Sequence, residues 1–291
     1  ARRPDKSSPS TAASTKRSCA NLVRVSSFAL FVASVAVLGA EVKPFKWSGE
    51  LNVPDPTSVT FDEAGNAYVA STTRRKVGDL DIREHRAWIP DDVGLTSPAE
   101  KLAFYQRELA PGKMKTSRGS LKDHNKDGSV DWKDLTFHQE RIYKLTDTDR
   151  NGVADKITVF AEGFNSPVSG IAAGVLYFDG WVYLTAIPDV WRLKDTDGDG
   201  VADVKEVIAT GFGGHIAYAG HDMHGLRLGP DGRIYWTVGD KGGNVTSKEG
   251  RHFFFAHEGA VLRCEPDGSG FEVFARGVRN IQEIAFDDFG N

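Results

Sequence analysis

The 291-residue chain is 40% hydrophobic and 26% charged, with acidic and basic residues interspersed to a formal net charge of −4. Such a composition fits a globular protein with a sizeable buried core. The absence of any long basic block excludes nucleic acid as an expected partner.

Residues 1–24 are rich in Ser, Thr, Ala, Arg and Lys without periodicity and read as a disordered leader. Lys16, Arg17 and Arg24 then precede an uncharged apolar stretch from Val25 to Ala40 ending in Leu38-Gly39-Ala40. That is the pattern of an export signal over residues 1–40, with cleavage expected after Ala40. An uncleaved signal anchor remains the alternative, since the stretch is just short of a comfortable membrane span. Either way the protein is expected to be exported, in the periplasm or at the cell surface, touching membrane only through this segment. Cys19 would leave with the signal, so Cys264 has no internal disulfide partner. The first residue, Ala1, and the last, Phe289-Gly290-Asn291 inside a hairpin pattern, read as a chain incomplete at both ends.

From Pro54 onward one pattern recurs: apolar alternation, an acidic-and-glycine turn, then a second apolar run. The copies are Val59–Val69, Val175–Leu184, Leu226–Trp236 and the shortened Ile284–Asn291. Each reads as a β-hairpin whose turn glycine supplies a positive φ. The last three turn glycines, Gly180, Gly232 and Gly290, recur at roughly fifty residues, the period of propeller blades. The expectation is therefore an all-β fold, a β-propeller of the six-bladed type of which residues 41–291 span roughly the first half. The longer interval from Gly65 to Gly180 requires an insertion or a hidden blade. Residues 74–140 supply the insertion, partly helical around Ala99 to Leu109.

Three loops carry the spacing that wraps oxygens around Ca2+, with glycine at the sixth position for the sharp turn. The first has Asp123, Asn125, Asp127, Asp131 and Asp134 and is followed by Leu135–Ile142, which can be helical, as in an EF-hand- or dockerin-like loop. The second has Asp147, Asp149, Asn151 and Asp155, with Thr158 in twelfth place, and should be weaker. The third has Asp195, Asp197, Asp199, Asp203 and Glu206. These are expected to act as structural staples, because such loops fill their own coordination shells.

The stretch His215–Gly243 resembles a blade of the quinoprotein glucose and sorbosone dehydrogenases. The matching residues are His221, Leu226, Gly229, Pro230, Asp231, Gly232, Ile234, Tyr235, Thr237, Gly239 and Asp240; Gly225 departs from a common arginine. The resemblance implies His221 as general base and Asp240 as the group that orients it. Gly277-Val278-Arg279-Asn280-Ile281-Gln282-Glu283 resembles the family's G-x-R-N-P-Q-G, with Ile281 in place of proline, and implies that Arg279 and Asn280 contact the cofactor. His215 and His224 are unassigned neighbours, His224 being the rival base. Asp79–Arg83 and the acidic loops also resemble the N-terminal part of the large membrane-bound dehydrogenases of planctomycete-type bacteria.

The implied function is oxidation of a sugar-like alcohol or hemiacetal by bound pyrroloquinoline quinone, with electrons passed to an acceptor such as a cytochrome c domain. Histidine suits the proton transfer because its pKa lies near operating pH, and a guanidinium facing the quinone stabilises developing charge. No C-x-x-C-H occurs, so haem c enters only through a downstream domain. Two rivals stay open: a calcium-stapled propeller that binds glycan or protein without redox chemistry, and a metal-dependent propeller lactonase using groups such as Asn280 and Glu283.

Overall fold

In the computed structural model, residues 43–114 and 119–291 are described, and the segment read above as an export signal lies outside them. Residues 43–46 belong to a separate unit from Trp47–Asn291, which hold the elements below. The first antiparallel sheet orders β1 (Pro56–Phe61), β2 (Ala67–Ser71), β3 (Glu140–Thr146) and β4 (Lys156–Phe164) in sequence. The second repeats this with β5 (Gly174–Phe178), β6 (Trp181–Ala186), β7 (Asp189–Lys194) and β8 (Val204–Thr210). The third is formed by β9 (Met223–Leu228), β10 (Ile234–Val238), β13 (Gly259–Cys264) and β14 (Glu272–Val278). A separate hairpin, β11 (Gly243–Thr246) and β12 (His252–Phe255), is inserted between β10 and β13.

Turn chemistry closes the first hairpin of each sheet. Asp62 Oδ1 accepts from the N–H of Ala64 and Asn66 while Gly65 takes φ +86°. Asp179 and Gly180 both have positive φ, as a two-residue type I′ turn demands. Asp231 accepts from Arg233 N and the Tyr235 hydroxyl ahead of Gly232. The shortened fourth copy shows its turn but no strand. Hydrogen bonds close the turn Asp287–Asn291, but Ile284–Asn291 has no partner strand among the described residues, and a strand needs one.

The first strands of the three sheets stand side by side. Ser58 and Thr60 hydroxyls accept from Val175 N and Tyr177 N, a register in which β1 and β5 run the same way. Gly174 at the start of β5 approaches β9 so closely that a Cβ would lie 3.2 Å from Gly225 N. The sheets are thus stacked face to face around their first strands, a propeller-like arrangement. Apolar cores fill the two gaps: Tyr68, Ile142, Phe160, Val182 and Leu184 in one, Tyr183, Val190, Phe212, Trp236 and Leu262 in the other. Strand β6 serves both, because successive side chains point to opposite faces. Each large side chain so buried contributes about 1.5–3 kcal/mol.

The long interval between the first two turn glycines is an insertion between β2 and β3, which pair directly from Ala67↔Leu145 to Ser71↔Arg141. It packs its own cluster, including Leu80, Phe104, Tyr105, Leu109 and Leu135. The helix Pro98–Glu108 begins at Ser97, whose side chain caps Glu100 N. The helical expectation for Leu135–Ile142 needs correction. A capping box between Asp131 and Asp134 starts a 3-10 helix at Trp132–Thr136, and Glu140 is already in β3, paired with Phe164.

Two buried charged residues join the insertion to the sheets. The Arg74 guanidinium donates to the carbonyls of Leu135 and His138 at 2.6 Å and of Ser166 and Ser169 at 3.1 Å. Glu140 accepts from Thr72 Oγ1, Thr73 N, Arg74 N and Ala172 N. Burial pushes its carboxyl up from 4.5 to about 7, against the pull of those donors and of Arg74. A folded-state value above the unfolded one gives a stabilising share that is complete below the unfolded pKa and lost as pH rises through about 7. Glu140→Gln, which cannot ionise, is therefore expected to cost less stability near pH 8 than near pH 5, read from urea midpoints at both.

Candidate functional site

Strand direction collects the site at one end of the sheets. β1, β5 and β9 begin there, and β2, β6 and β10 end there, as the pairs Pro56↔Ser71, Gly174↔Thr185 and Met223↔Val238 record. A cleft of about 690 Å³ opens at this end, walled by Asp55 and Thr57, by Thr72, Thr73, Arg75 and Val77, by Ile171, and by Gly220, His221, His224, Asn280 and Gln282.

His221 Nδ1 lies 2.7 Å from Asp240 Oδ1, so the two residues singled out in sequence meet across the start of β9 and the turn after β10. Asp240 is not on the cleft wall, and its contact with Nδ1 leaves Nε2 as the imidazole nitrogen open to a ligand. His224 also lines the cleft, but its Nε2 is hydrogen-bonded to Gly220 O at 3.0 Å, and the Asp222 carboxylate near it is taken up by Lys241. His215 is buried elsewhere, with Nδ1 at 2.6 Å from Asp92 O and its ring beside His257.

Arg279 and Asn280 follow β14 and divide in placement. Asn280 lines the cleft, accepting at Oδ1 from Gln282 Nε2. Arg279 does not: its Nε sits 3.5 Å from Asp240 Oδ2 and its guanidinium lies over the Tyr218 ring. Its backbone carbonyl also accepts from Asp240 N at 2.7 Å, so Arg279 buttresses Asp240. Gly225 takes φ +45°, and a Cβ there would lie 3.1 Å from Glu283 Oε2 and 3.4 Å from Gln282 O, a tight fit.

Sequence reasoning missed Arg75, Gln282 and the threonines of the wall. The hydroxyls of Thr57, Thr72 and Thr73 donate to Ala172 O, Glu140 and Gln139 O. Arg75 and the amides of Asn280 and Gln282 are therefore the donors a ligand would meet beside the imidazoles. With Asp55 the one carboxylate on the wall among the described residues, this donor set could hold the carboxylate or carbonyl oxygens of a ligand.

The acidic turns after β3 and β7 lie at the opposite end. In the β7–β8 turn, one oxygen each from Asp195, Asp197 and Asp203 lies within 4.8 Å of the others, a group able to hold a cation. Asp195 also accepts from Gly198 N and Gly200 N, and Asp199 from Val201 N. Glu206 does not join them. It lies on β8 opposite Arg192 and pairs with it at 2.6 Å, as cross-strand neighbours on one face do. In the β3–β4 turn, Asp147 accepts from Asn151 N and Gly152 N, Asp149 from Asn151 Nδ2, and Asp155 from Thr148. In the insertion, Asp123 and Asn125 accept from Asp127 N, Asp127 accepts from Ser129, Asp131 from Lys133 N, and Asp134 from His124, Asn125 and Asp131 N–H groups.

A family model described as a domain of unknown function (DUF7133) matches residues 45–291. The chain belongs to this family. No curated protein matches it. Among solved structures, this DUF7133 chain is similar to the PQQ-bound form of an aldose sugar dehydrogenase from Streptomyces coelicolor, at 15% identity and a TM-score of 0.45. That match covers 86% of this chain and 58% of the other. A nidogen/laminin complex is similar at 14% identity and a TM-score of 0.20, over 51% of this chain and 64% of the other. The DUF7133 chain thus spans less than two thirds of the length of either. Among the described residues no helix is long and apolar enough to cross a membrane.

Proposed function

We propose that this domain is part of an exported oxidoreductase that oxidises a sugar-like alcohol or hemiacetal with a quinone of the pyrroloquinoline type. The observation that carries the reading is the His221–Asp240 pair at 2.7 Å with the imidazole on the cleft wall. Asp240 takes the Nδ1–H and so holds the bare Nε2 toward the cleft, where it accepts the proton of a substrate hydroxyl. As the imidazolium forms, the carboxylate behind it stabilises the charge. When bound, the quinone supplies the two-electron acceptor for the hydride equivalent leaving the carbinol carbon. Arg75, Asn280 and Gln282 bind and orient its oxygens, and Arg279 holds Asp240 in place. A cytochrome c domain is the acceptor class this chemistry calls for, and a six-bladed propeller the complete fold.

The test is a titration of the calcium-loaded protein with pyrroloquinoline quinone, following cofactor absorbance on adding aldoses. Saturable binding with sugar-dependent reduction supports the reading. Absence of binding at high cofactor concentration overturns it and leaves a recognition domain.

The Asp195–Asp197–Asp203 group supports a structural Ca2+ site in the same protein. At a hundred-fold excess over its dissociation constant the ion is expected to add about 2.7 kcal/mol to stability, and Asp195→Ala to remove most of that gain. Thermal melts with Ca2+ and with chelator measure both. Identical melts with and without the ion would exclude the site.

A further inference from the structure

The two residues that follow His221 and Asp240 in sequence are also paired, on the buried side. Asp222 is wholly buried, and its Oδ2 lies 2.9 Å from Lys241 Nζ, itself 1% exposed. The same ammonium lies 2.5 Å from Asp79 Oδ1. Asp222 accepts in addition from Ile171 N and Gly220 N, and its carbonyl from Gly239 N. Asp79 closes the loop that carries Arg75, accepting from Lys76 N and bridging to Arg75. One buried ammonium thus ties the Arg75–Val77 loop, Ile171, the Gly220–His224 segment and the turn at Asp240, all at the cleft.

Stability alone explains such a cluster poorly. Removing charges from water costs several kcal/mol each, and well-packed apolar residues in the place of a buried ion pair are often neutral or stabilising. What an apolar cluster lacks is a defined distance between charges. Asp222 and Lys241 are buried while His221 and Asp240 are half-buried, and the inner and outer pairs bridge the same two backbone segments. The backbone there is closely packed: a Cβ on Gly239 would lie 2.7 Å from His221 O, and one on Gly170 would lie 1.8 Å from Asp222 Oδ1.

We propose that Lys241 is a positioning residue for the His221–Asp240 pair, its ammonium between Asp79 and Asp222 setting the separation at which Nδ1 reaches the carboxylate. The catalytic consequence rests on the function proposed above; the geometric one does not. The first readout is therefore the downfield proton resonance of His221 Nδ1–H in the protein without quinone or sugar, assigned by its loss in His221→Gln. Lys241→Met is expected to abolish that resonance while a cooperative melt is retained. It is also expected to lower kcat for sugar-dependent quinone reduction by about 10²-fold with KM little changed. Combined with Asp240→Asn, it should add no further loss, because the two act through one contact.

If the two carboxylates left buried by Lys241→Met prevent folding, Lys241→Met with Asp79→Asn and Asp222→Asn removes the charges together and is read in the same way. An unshifted resonance in a folded Lys241→Met or triple variant would overturn the proposal. A protein that shows the resonance and its loss yet never reduces quinone would overturn the proposed function alone.

Discussion

Replacing His221 with alanine is expected to lower sugar-dependent quinone reduction by roughly 10²- to 10⁴-fold, the range spanned by a positioned general base. The effect should fall on kcat, because in the proposed reaction the imidazole acts on the hydroxyl proton in the transition state, while Arg75, Asn280 and Gln282 on the cleft wall would still bind. Asp240→Asn should approach the same loss for another reason. An amide at the Asp240 position removes the charge facing Nδ1 at 2.7 Å and no longer selects the tautomer with a bare Nε2. His224→Gln separates the two histidines on the cleft wall. Since His224 Nε2 is held by Gly220 O, that variant should keep most of the activity. Steady-state kinetics of the three variants decide the assignment, and a His224→Gln as inactive as His221→Ala would transfer the base to His224.

Arg74→Ala should be the most damaging single change to the fold. The guanidinium is fully buried and feeds four carbonyls, at Leu135, His138, Ser166 and Ser169. Its removal strips donors from all four, leaves the Glu140 carboxylate without its nearby cation and opens a cavity. A loss of about 4 kcal/mol or more follows from breaking a buried charged network. For a domain of this size that is roughly a 10 °C drop in melting temperature. Lysine should not rescue, because one ammonium cannot reach acceptors arranged around a planar fork. A melting temperature within a degree or two of the parent would mean that water replaces the guanidinium.

Much of this architecture was legible because its signals are local. The turn glycines Gly65, Gly180 and Gly232 sit at φ values near +80°, as their Asp-rich contexts suggested, and the alternating runs beside them are strands. The convergence of His221 and Asp240 was legible because one hairpin separates them. What escaped depends on partners distant in sequence. Lys241 and Asp79 are 162 positions apart, and each, read alone, is an ordinary surface charge. Arg74 and Glu140 flank the insertion and read as parts of charged stretches until β2 and β3 are seen to pair across it. Glu206 was misplaced because loop spacing was carried into a strand, where alternation and the facing Arg192 decide its direction. Arg279 matched a motif, but its side chain followed the nearest carboxylate.

The acidic turns after β3 and β7 and the cleft occupy opposite ends of the sheets. A six-residue strand such as β6 spans roughly 20 Å, more than two Debye lengths in physiological salt. A divalent charge gained or lost at the far end is therefore almost invisible to the imidazole of His221. The two ends of each sheet are free to vary independently: a cation taken up or lost at the acidic turns would leave the proton chemistry proposed for the cleft untouched.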